Sequence, residues 1–379
     1  MMFQSKLMGT TVIFIAAAAS AQAAPTVTVS TFATGVAVSA TAPDSITDGA
    51  GSIWVEYGNG ADSTGLTGNT TVVRYSPSGV VQNTYSIPGL VDGLKYNPMT
   101  GMVWALVNND GNAKLSLINP TTNTVSSALM YKSPPYIYGP TSARGYDDVA
   151  FLNGNVYLSY TNPVNPTDPV LQSLNNGNSP TSTLTTTTIL TAQQGGLTTP
   201  RTNEPDIDSL KSTPNGALVL TSEGDGPGSS DPVGEFTLIS NPGTATQSVT
   251  NVHVTSGGNN VQGIDDVIFP GATSGWLYVA ETGATANKVD KVWLSGLDPN
   301  TPIIAIGGLH EVALVNPTTG AVESALLSGL DKPHGMDFVP ATSAPEPATW
   351  PMLLIGLGGV AVAVGRRKSR AVSRLAPAN

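Results

Sequence analysis

Six residues that can hold a proton or a cation recur along the chain: Asp44, Asp92, Asp147, Asp206, Asp265 and His334, spaced 48, 55, 59, 59 and 69 residues apart. Carboxylates brought together in a narrow space repel one another. They are stable there only if protonated, hydrogen-bonded or neutralised by a cation. Oxygen-only ligands suit Ca²⁺, and Asp147, Asp206, Asp265 and Glu204 form the expected metal set, with Asp148, Asp208 and Asp266 as further acid nearby. The competing role is structural: an Asp at a strand entry caps backbone N–H groups and ties neighbouring elements together. Both readings stay open at the level of sequence. No residue is assigned a catalytic role, although His334 among carboxylates has the makings of a general base.

The rest of the composition narrows the chemistry. The 379 residues contain no Cys, which excludes a disulfide framework, a thiol nucleophile, a thiolate zinc site and an iron–sulfur cluster. The three imidazoles, His253, His310 and His334, are far apart in sequence, against a His-rich metal site. No Gly-x-Ser-x-Gly elbow, phosphate-binding glycine loop or His-Glu-x-x-His helix occurs. The acidic loop Glu223 to Asp231 lacks the alternating ligands of an EF-hand. With 16 basic against 26 acidic residues, the chain offers no basic face for nucleic acid.

The elements that must position these residues are strands. Apolar and polar residues alternate around each repeat, and five repeats continue through a Gly turn into a second apolar run: Ser52–Trp54, Met102–Trp104, Asn155–Tyr157, Ala217–Val219 and Trp276–Tyr278. Outer hairpins carry Asn-Pro turns at Pro120 and Pro317 and a Ser-Pro turn at Pro77. About four strands in each unit of roughly 50–60 residues make a β-propeller blade. The expected fold is all-β, a propeller of six blades. Its last blade is completed by strands near Val27–Phe32 and Gly35–Ala40, so that the two ends of the body meet in one sheet. Residues 161–203, rich in Asn, Pro, Ser and Thr, are expected to form a long exposed loop with one Thr-rich outer strand, a place for glycosylation.

Both ends of the chain read as addresses. Lys6, the apolar run Val12–Ala19 and the small residues Ala21 and Ala23 make residues 1–23 a signal peptide for the Sec export machinery. At the other end, Pro345, Glu346 and Pro347 precede an apolar run, which is followed by Arg366, Arg367 and Lys368. The run is just long enough for a transmembrane helix with a cationic cytoplasmic stop. Residues 24–343 form the propeller domain, 344–370 the sorting segment and 371–379 a cytoplasmic tail. The ordered series Pro-Glu-Pro, apolar helix, Arg cluster resembles the PEP-CTERM sorting signal of Gram-negative bacteria. That resemblance implies recognition by an exosortase, removal of the helix, and passage from an inner-membrane-anchored precursor to the surface or extracellular matrix. The membrane is then only a transient partner. Cut after Glu346 and without the signal peptide, the body keeps a net charge of −16, against −10 for the whole chain.

The runs beginning Asp-Ser-Ile, Asp-Asp-Val and His-Gly-Met, each leading to a Gly turn and an aromatic strand, resemble propellers of the NHL and SMP-30/gluconolactonase kind. Two functions follow as expectations. One is a binding or interaction protein associated with exopolysaccharide, biofilm or another envelope protein, without chemistry of its own. The alternative is a metal-dependent extracellular hydrolase or lyase, since the resemblance implies a divalent metal held by Glu, Asn and Asp around the channel.

Overall fold

In the computed structural model the described residues are 24–132, 144–161, 163, 165–180, 183–196, 207–223, 233–283 and 286–341. The signal peptide, the sorting segment and the tail lie outside them. Among the described residues no helix is long and apolar enough to cross a membrane.

Six sheets, antiparallel but for the short Thr183–Leu184 that pairs parallel with Leu129–Tyr131, surround a central channel, and their inner strands contact one another in a closed ring. Blade 1 runs outward from Pro43–Gly49 through Ser52–Tyr57 and Asn69–Tyr75 to Val81–Pro88. Blade 2 starts at Val91–Asn97, blade 3 at Tyr146–Leu152 and blade 4 at Ile207–Ser212. The core is six wedges of apolar side chains, one between each pair of adjacent blades. Trp54, Val91 and Leu94 fill the wedge between blades 1 and 2, and Val219, Ile264 and Ile304 that between blades 4 and 5. Each fully buried side chain of this size contributes roughly 1.5–3 kcal/mol. The blades are therefore held face to face, chiefly by the same residues whose alternation marks the strands.

Blades 5 and 6 depart from the simple repeat. The inner strand Ile264–Ile268 pairs with Ile303–Ile306 rather than with the strand that follows it, Ser274–Glu281. Ser274–Glu281 crosses to blade 6 and pairs with the inner strand Pro333–Pro340 and with Lys288–Ser295. The Trp276–Tyr278 run thus belongs to blade 6, and the Pro317 hairpin to blade 5. The other inner strands reach their partners through two to four residues, whereas five separate Ile268 from Ser274. That longer link permits the crossing. Burial favours it too, because Ile303–Ile306 is buried at every position and fits between two blades. The two blades are interlocked as a result.

The ends of the described body do meet in one sheet. Thr26–Thr34 forms the outer strand of blade 6 beside Lys288–Ser295, while Pro333–Pro340 forms the inner one. Gly35–Val38, expected as a strand, is a 3₁₀ turn instead. The Thr-rich region is also richer in structure than expected. It supplies two strands of blade 3, Pro169–Leu174 and Thr186–Thr191, and buries Val170, Leu171, Leu174 and Leu190.

Candidate functional site: the acidic channel mouth

Every inner strand opens with a β-bulge at the same place. The register jumps between Pro43 and Ile46, Val91 and Leu94, Tyr146 and Val149, Ile207 and Leu210, Ile264 and Asp266, and at the corresponding point beside Pro333 and Met336. A bulge re-aims the side chains at the point where pairing is interrupted. The first bulge residue of each blade forms a ring at one mouth of the channel: Asp44, Asp92, Asp147, Asp208, Asp265 and His334. In blade 4 the ring residue is Asp208, two positions beyond the repeat start read from the sequence. Asp206 and Glu204 lie outside the described residues, as do Asp225 and Asp231.

The ring residues have few cationic partners. His334 Nδ1 lies 2.9 Å from Asp265 Oδ1 and 3.3 Å from Asp44 Oδ1. Asn109 donates through Nδ2 to Asp92 Oδ2 at 3.2 Å and to Asp147 Oδ1 at 2.9 Å. Asp208 groups with Asp265 and with Glu223, which leaves the end of the neighbouring strand; their carboxylate oxygens lie within 4.8 Å of one another, as do the ligand atoms of Asp44, Asp265 and His334. Burial first, and then the charges of neighbouring acids, hold Asp92 and Asp208 well above the ordinary carboxyl range. Burial likewise raises Asp265 to about 7, although His334 opposes the shift. Burial alone would lower His334, but Asp265 and Asp44 outweigh it and keep the imidazole protonated.

Two further residues of this mouth carry no signal in the repeat. Glu56, on the second strand of blade 1, is fully buried opposite the bulge. Neither of its oxygens makes a hydrogen bond of ordinary geometry among the described residues. Burial, then Asp44 and Asp92, push its carboxyl well above the usual range. Blades 3 and 4 place a hydroxyl at the equivalent position: Ser159 Oγ accepts from the Asp148 N–H at 2.8 Å, and Thr221 Oγ1 from the Ser209 N–H at 2.8 Å. A Glu where the counterparts are Ser159, Thr221, Leu106 and Ala280 is the clue that the sequence offered. Asn109 is the second. Its Oδ1 is buried and unpartnered while its amide spans two ring acids.

One residue deeper, the second bulge position does structural work. Asp148 accepts the Val149 N–H at 2.8 Å and the Leu210 N–H of the next blade at 3.0 Å. Asp266 does the same for Val267 at 2.7 Å and Met336 at 2.6 Å, and Ser45 Oγ accepts from Leu94 N–H at 3.0 Å. In blades 2 and 6 the position is glycine, because a Cβ at Gly93 or Gly335 would stand 2.3 Å from the carbonyl oxygen of Asp147 or Asp44. Capping between blades is thus assigned to this second position.

These deeper acids have cations of their own. Lys211 Nζ bonds to Asp266 Oδ2, and Lys95 Nζ lies 3.6 Å from Asp148 Oδ2. The ring and this lysine tier together enclose about 30 Å³, room for an ion or one or two waters. Beyond the lysines the channel widens into a vestibule of about 580 Å³ at the opposite mouth, walled by Tyr96, Phe151, Phe269 and Phe338. Asp337 stands there, pushed up to about 7 by burial and by the charge of Asp48, whose backbone N–H it accepts.

The other sequence candidates lie elsewhere. His253 pairs with Glu235 at 3.1 Å in blade 4, and His310 Nδ1 lies 3.0 Å from the Leu330 carbonyl. Trp54 and Trp104 are buried in the wedges, and Trp276 packs edge-on against Trp293.

No curated protein matches the sequence. Among solved structures the chain is similar to hydrazine synthase of Kuenenia stuttgartiensis, at 11% identity over 73% of this chain and 77% of that one, with a TM-score of 0.37. A luciferin-regenerating enzyme is similar at 11% identity over 67% and 78%, with a TM-score of 0.39. PorZ, a surface component of the type-IX secretion system of Porphyromonas gingivalis, shares 11% identity over 74% and 41%, also with a TM-score of 0.39. Likeness at this level says nothing about ligand or activity. One family description does match, and it lies outside the propeller: residues 343–368 carry the PEP-CTERM protein-sorting motif, which marks the chain as an exported, exosortase-sorted β-propeller whose precursor is anchored in the membrane.

Proposed function

We propose that the chain is a surface or matrix propeller that holds Ca²⁺ in its acidic mouth and serves as a binding protein, for exopolysaccharide or another envelope component. The observation that carries the cation is the ring itself: five carboxylates, joined by Glu56 and Glu223, face one imidazole. The donor set fits a hard, oxygen-ligated ion. Asp208, Glu223 and Asp265 are the best ligands, because the protonated His334 would oppose an ion held between Asp44 and Asp265. Glu56 and Asn109 offer buried oxygens that make no hydrogen bond of ordinary geometry among the described residues. The ion would add positive charge beside the single imidazole of the ring and stiffen the contacts between blades. Of the ligands expected from sequence, Asp265 joins this cluster, while Asp147 is held by Asn109 on the ring.

Elemental analysis of the purified chain tests this reading, together with thermal melts in Ca²⁺ and in EDTA. Retained calcium and a melting temperature that falls in EDTA support it. A chain that retains no divalent ion and melts identically in both refutes it.

A specific feature keeps a second reading, that of a metal-dependent hydrolase or lyase of the SMP-30/gluconolactonase kind. Asp265, at about 7 beside His334, has the proton affinity of a general base at neutral pH. Turnover of a lactone panel that disappears in Asp265→Asn would favour that reading over binding alone.

A further inference from the structure

The two faces of the propeller differ in charge and in which chain ends they carry. Inner strands run from the acidic mouth to the vestibule. The antiparallel order of blade 6 therefore puts the start of Thr26–Thr34 and the end of Pro333–Pro340 on the vestibule face, where Thr26 is in register with Ser295, Ser295 with Ser274, and Gly275 with Pro340. Ala341 still donates its N–H to the Ser274 carbonyl at 2.9 Å. The sorting motif begins at residue 343. At about 3.5 Å per extended residue, Pro345 can lie no more than roughly 14 Å from Ala341.

A second, independent observation concerns charge. The described turns of the vestibule face, from residues 50–51 and 76–80 to 296–302 and 316–321, contain a single charged residue, Asp298. They are built of Gly, Pro, Ser, Thr and Asn, with Val80 and Met99 standing 63% and 71% exposed. The acid-side connections instead hold Asp62, Asp110, Glu223, Asp331, Lys132 and Lys332, besides the ring. Exposed apolar residues occur on both faces, Leu66 being one on the acid side, so apolarity does not separate them. Charge does. An anionic bilayer repels a face that carries a carboxylate ring more than one whose turns hold a single acid and whose vestibule sets Lys95 and Lys211 against Asp48 and Asp337.

From the chain exit and the charge asymmetry together we infer that the vestibule face is the membrane-facing surface of the anchored precursor, resting on the lipid headgroups, while the acidic mouth points away from the membrane. The inference rests on the anchored precursor and not on the bound cation. Exosortase then has to work within reach of the blade 6 edge, on the neutral side of the disc.

The absence of cysteine makes the test direct. Met99→Cys and Leu66→Cys are each labelled with a bimane fluorophore in the full chain. The labelled chains are reconstituted into phosphatidylcholine–phosphatidylglycerol vesicles containing a headgroup-depth spin-label quencher. The expected result is loss of fluorescence at residue 99 with residue 66 unaffected, and recovery at 99 once the sorting segment is cleaved. Equal quenching at both positions, stronger quenching at 66, or none at either overturns the orientation. Failure of the chain to float with the vesicles overturns the anchored precursor and the orientation together, and leaves the calcium result standing. Contact of residue 99 with exosortase instead of lipid would show as quenching that appears only in vesicles that also contain the enzyme, and would also overturn it.

Discussion

Asp147 and Asp148 are adjacent in the chain, as are Asp265 and Asp266, yet the members of each pair live in opposite electrostatic surroundings. Asp148 and Asp266 accept backbone N–H groups from their own and the next blade, and each has a lysine, Lys95 or Lys211, supplied by a neighbouring blade. Asp147 and Asp265, one residue earlier, face the channel mouth with an amide and a shared imidazole. The inner tier pairs each carboxylate with a lysine, while among the described residues of the outer tier one imidazole is shared by two carboxylates. Burying an excess of carboxylate opposes folding, so the outer tier suits a proton or a cation, while the inner tier is architecture.

The largest expected effect breaks the inner tier. Lys211→Met strands the Asp266 carboxylate, and losing one member of a buried pair costs about 3–5 kcal/mol. At roughly 2–4 °C per kcal/mol for domains of this order of size, the melting temperature should fall by on the order of 10 °C. Added Ca²⁺ should not restore it, because the stranded charge lies in the bulge between blades, below the ring. Adding Asp266→Asn to the same chain should recover much of the loss. Thermal melts of the single and double variants, with and without Ca²⁺, check all three statements.

The outer tier should respond in the opposite sense. With Ca²⁺ at 100 times its dissociation constant, the folded chain gains about 2.7 kcal/mol. Asp208→Asn should abolish that gain, yet in EDTA it should be at least as stable as the parent chain, since it removes a buried carboxyl that neighbouring acids repel. An Asp208→Asn chain that melts lower in EDTA and still responds to Ca²⁺ would erase the distinction between the tiers.

Acidity should expose the same contrast with a smaller effect. The folded pKa of Asp265 is about 7 against 3.8 for the free side chain, so between those values the folded state holds a proton that the unfolded state has released. Stability of the metal-free chain therefore decreases as pH rises from about 4 to 7. Asp92, Asp208 and Glu56 add to the same slope, their folded values also being raised. The stabilisation from protonated His334 is fully present below about 6.5 and is lost only as pH passes its own raised value. Urea midpoints across this range should decline in EDTA and flatten in Ca²⁺, as the ion displaces the protons.

The sequence showed the blades and the acid recurring once in each, because alternation and a short motif survive in a single line of residues. In blade 4 Asp206 and Asp208 both fit a loose pattern; the bulge between Ile207 and Leu210 puts Asp208 on the ring, and Asp206 lies outside the described residues. The exchange between blades 5 and 6 was also hidden. Trp276–Tyr278 follows Asp265 as a second strand should, and strand pairing across 60-odd residues leaves no local trace. Residues 161–203 looked empty of core because Val170, Leu171 and Leu174 are diluted by Asn, Pro and Ser. Glu56 reaches the mouth from a second strand and Asn109 from the turn that follows one, Met102–Val107, which no count of ring residues reveals. The type of Glu56 was informative only beside Ser159 and Thr221, that is, once the blades could be superimposed.

The smallest expected effect concerns Glu56 and sharpens the border between the tiers. It lies on the second strand, at the position where Ser159 and Thr221 serve the architecture, but its surroundings are those of the ring. If it belongs to the ring, Glu56→Gln should leave the metal-free chain within about 1 kcal/mol of the parent, since a carboxyl whose charged form burial and Asp44 already disfavour is replaced by a neutral amide of the same shape. The same change should weaken the calcium response and shift its onset, because a potential ligand oxygen and its charge are lost together. If Glu56 instead caps its bulge as the hydroxyls do, the metal-free chain should destabilise and the calcium response stay intact. Calcium titrations followed by calorimetry, paired with melts in EDTA, separate the two. A Ser159→Ala chain run alongside gives the architectural pattern for comparison: loss of stability with unchanged calcium affinity.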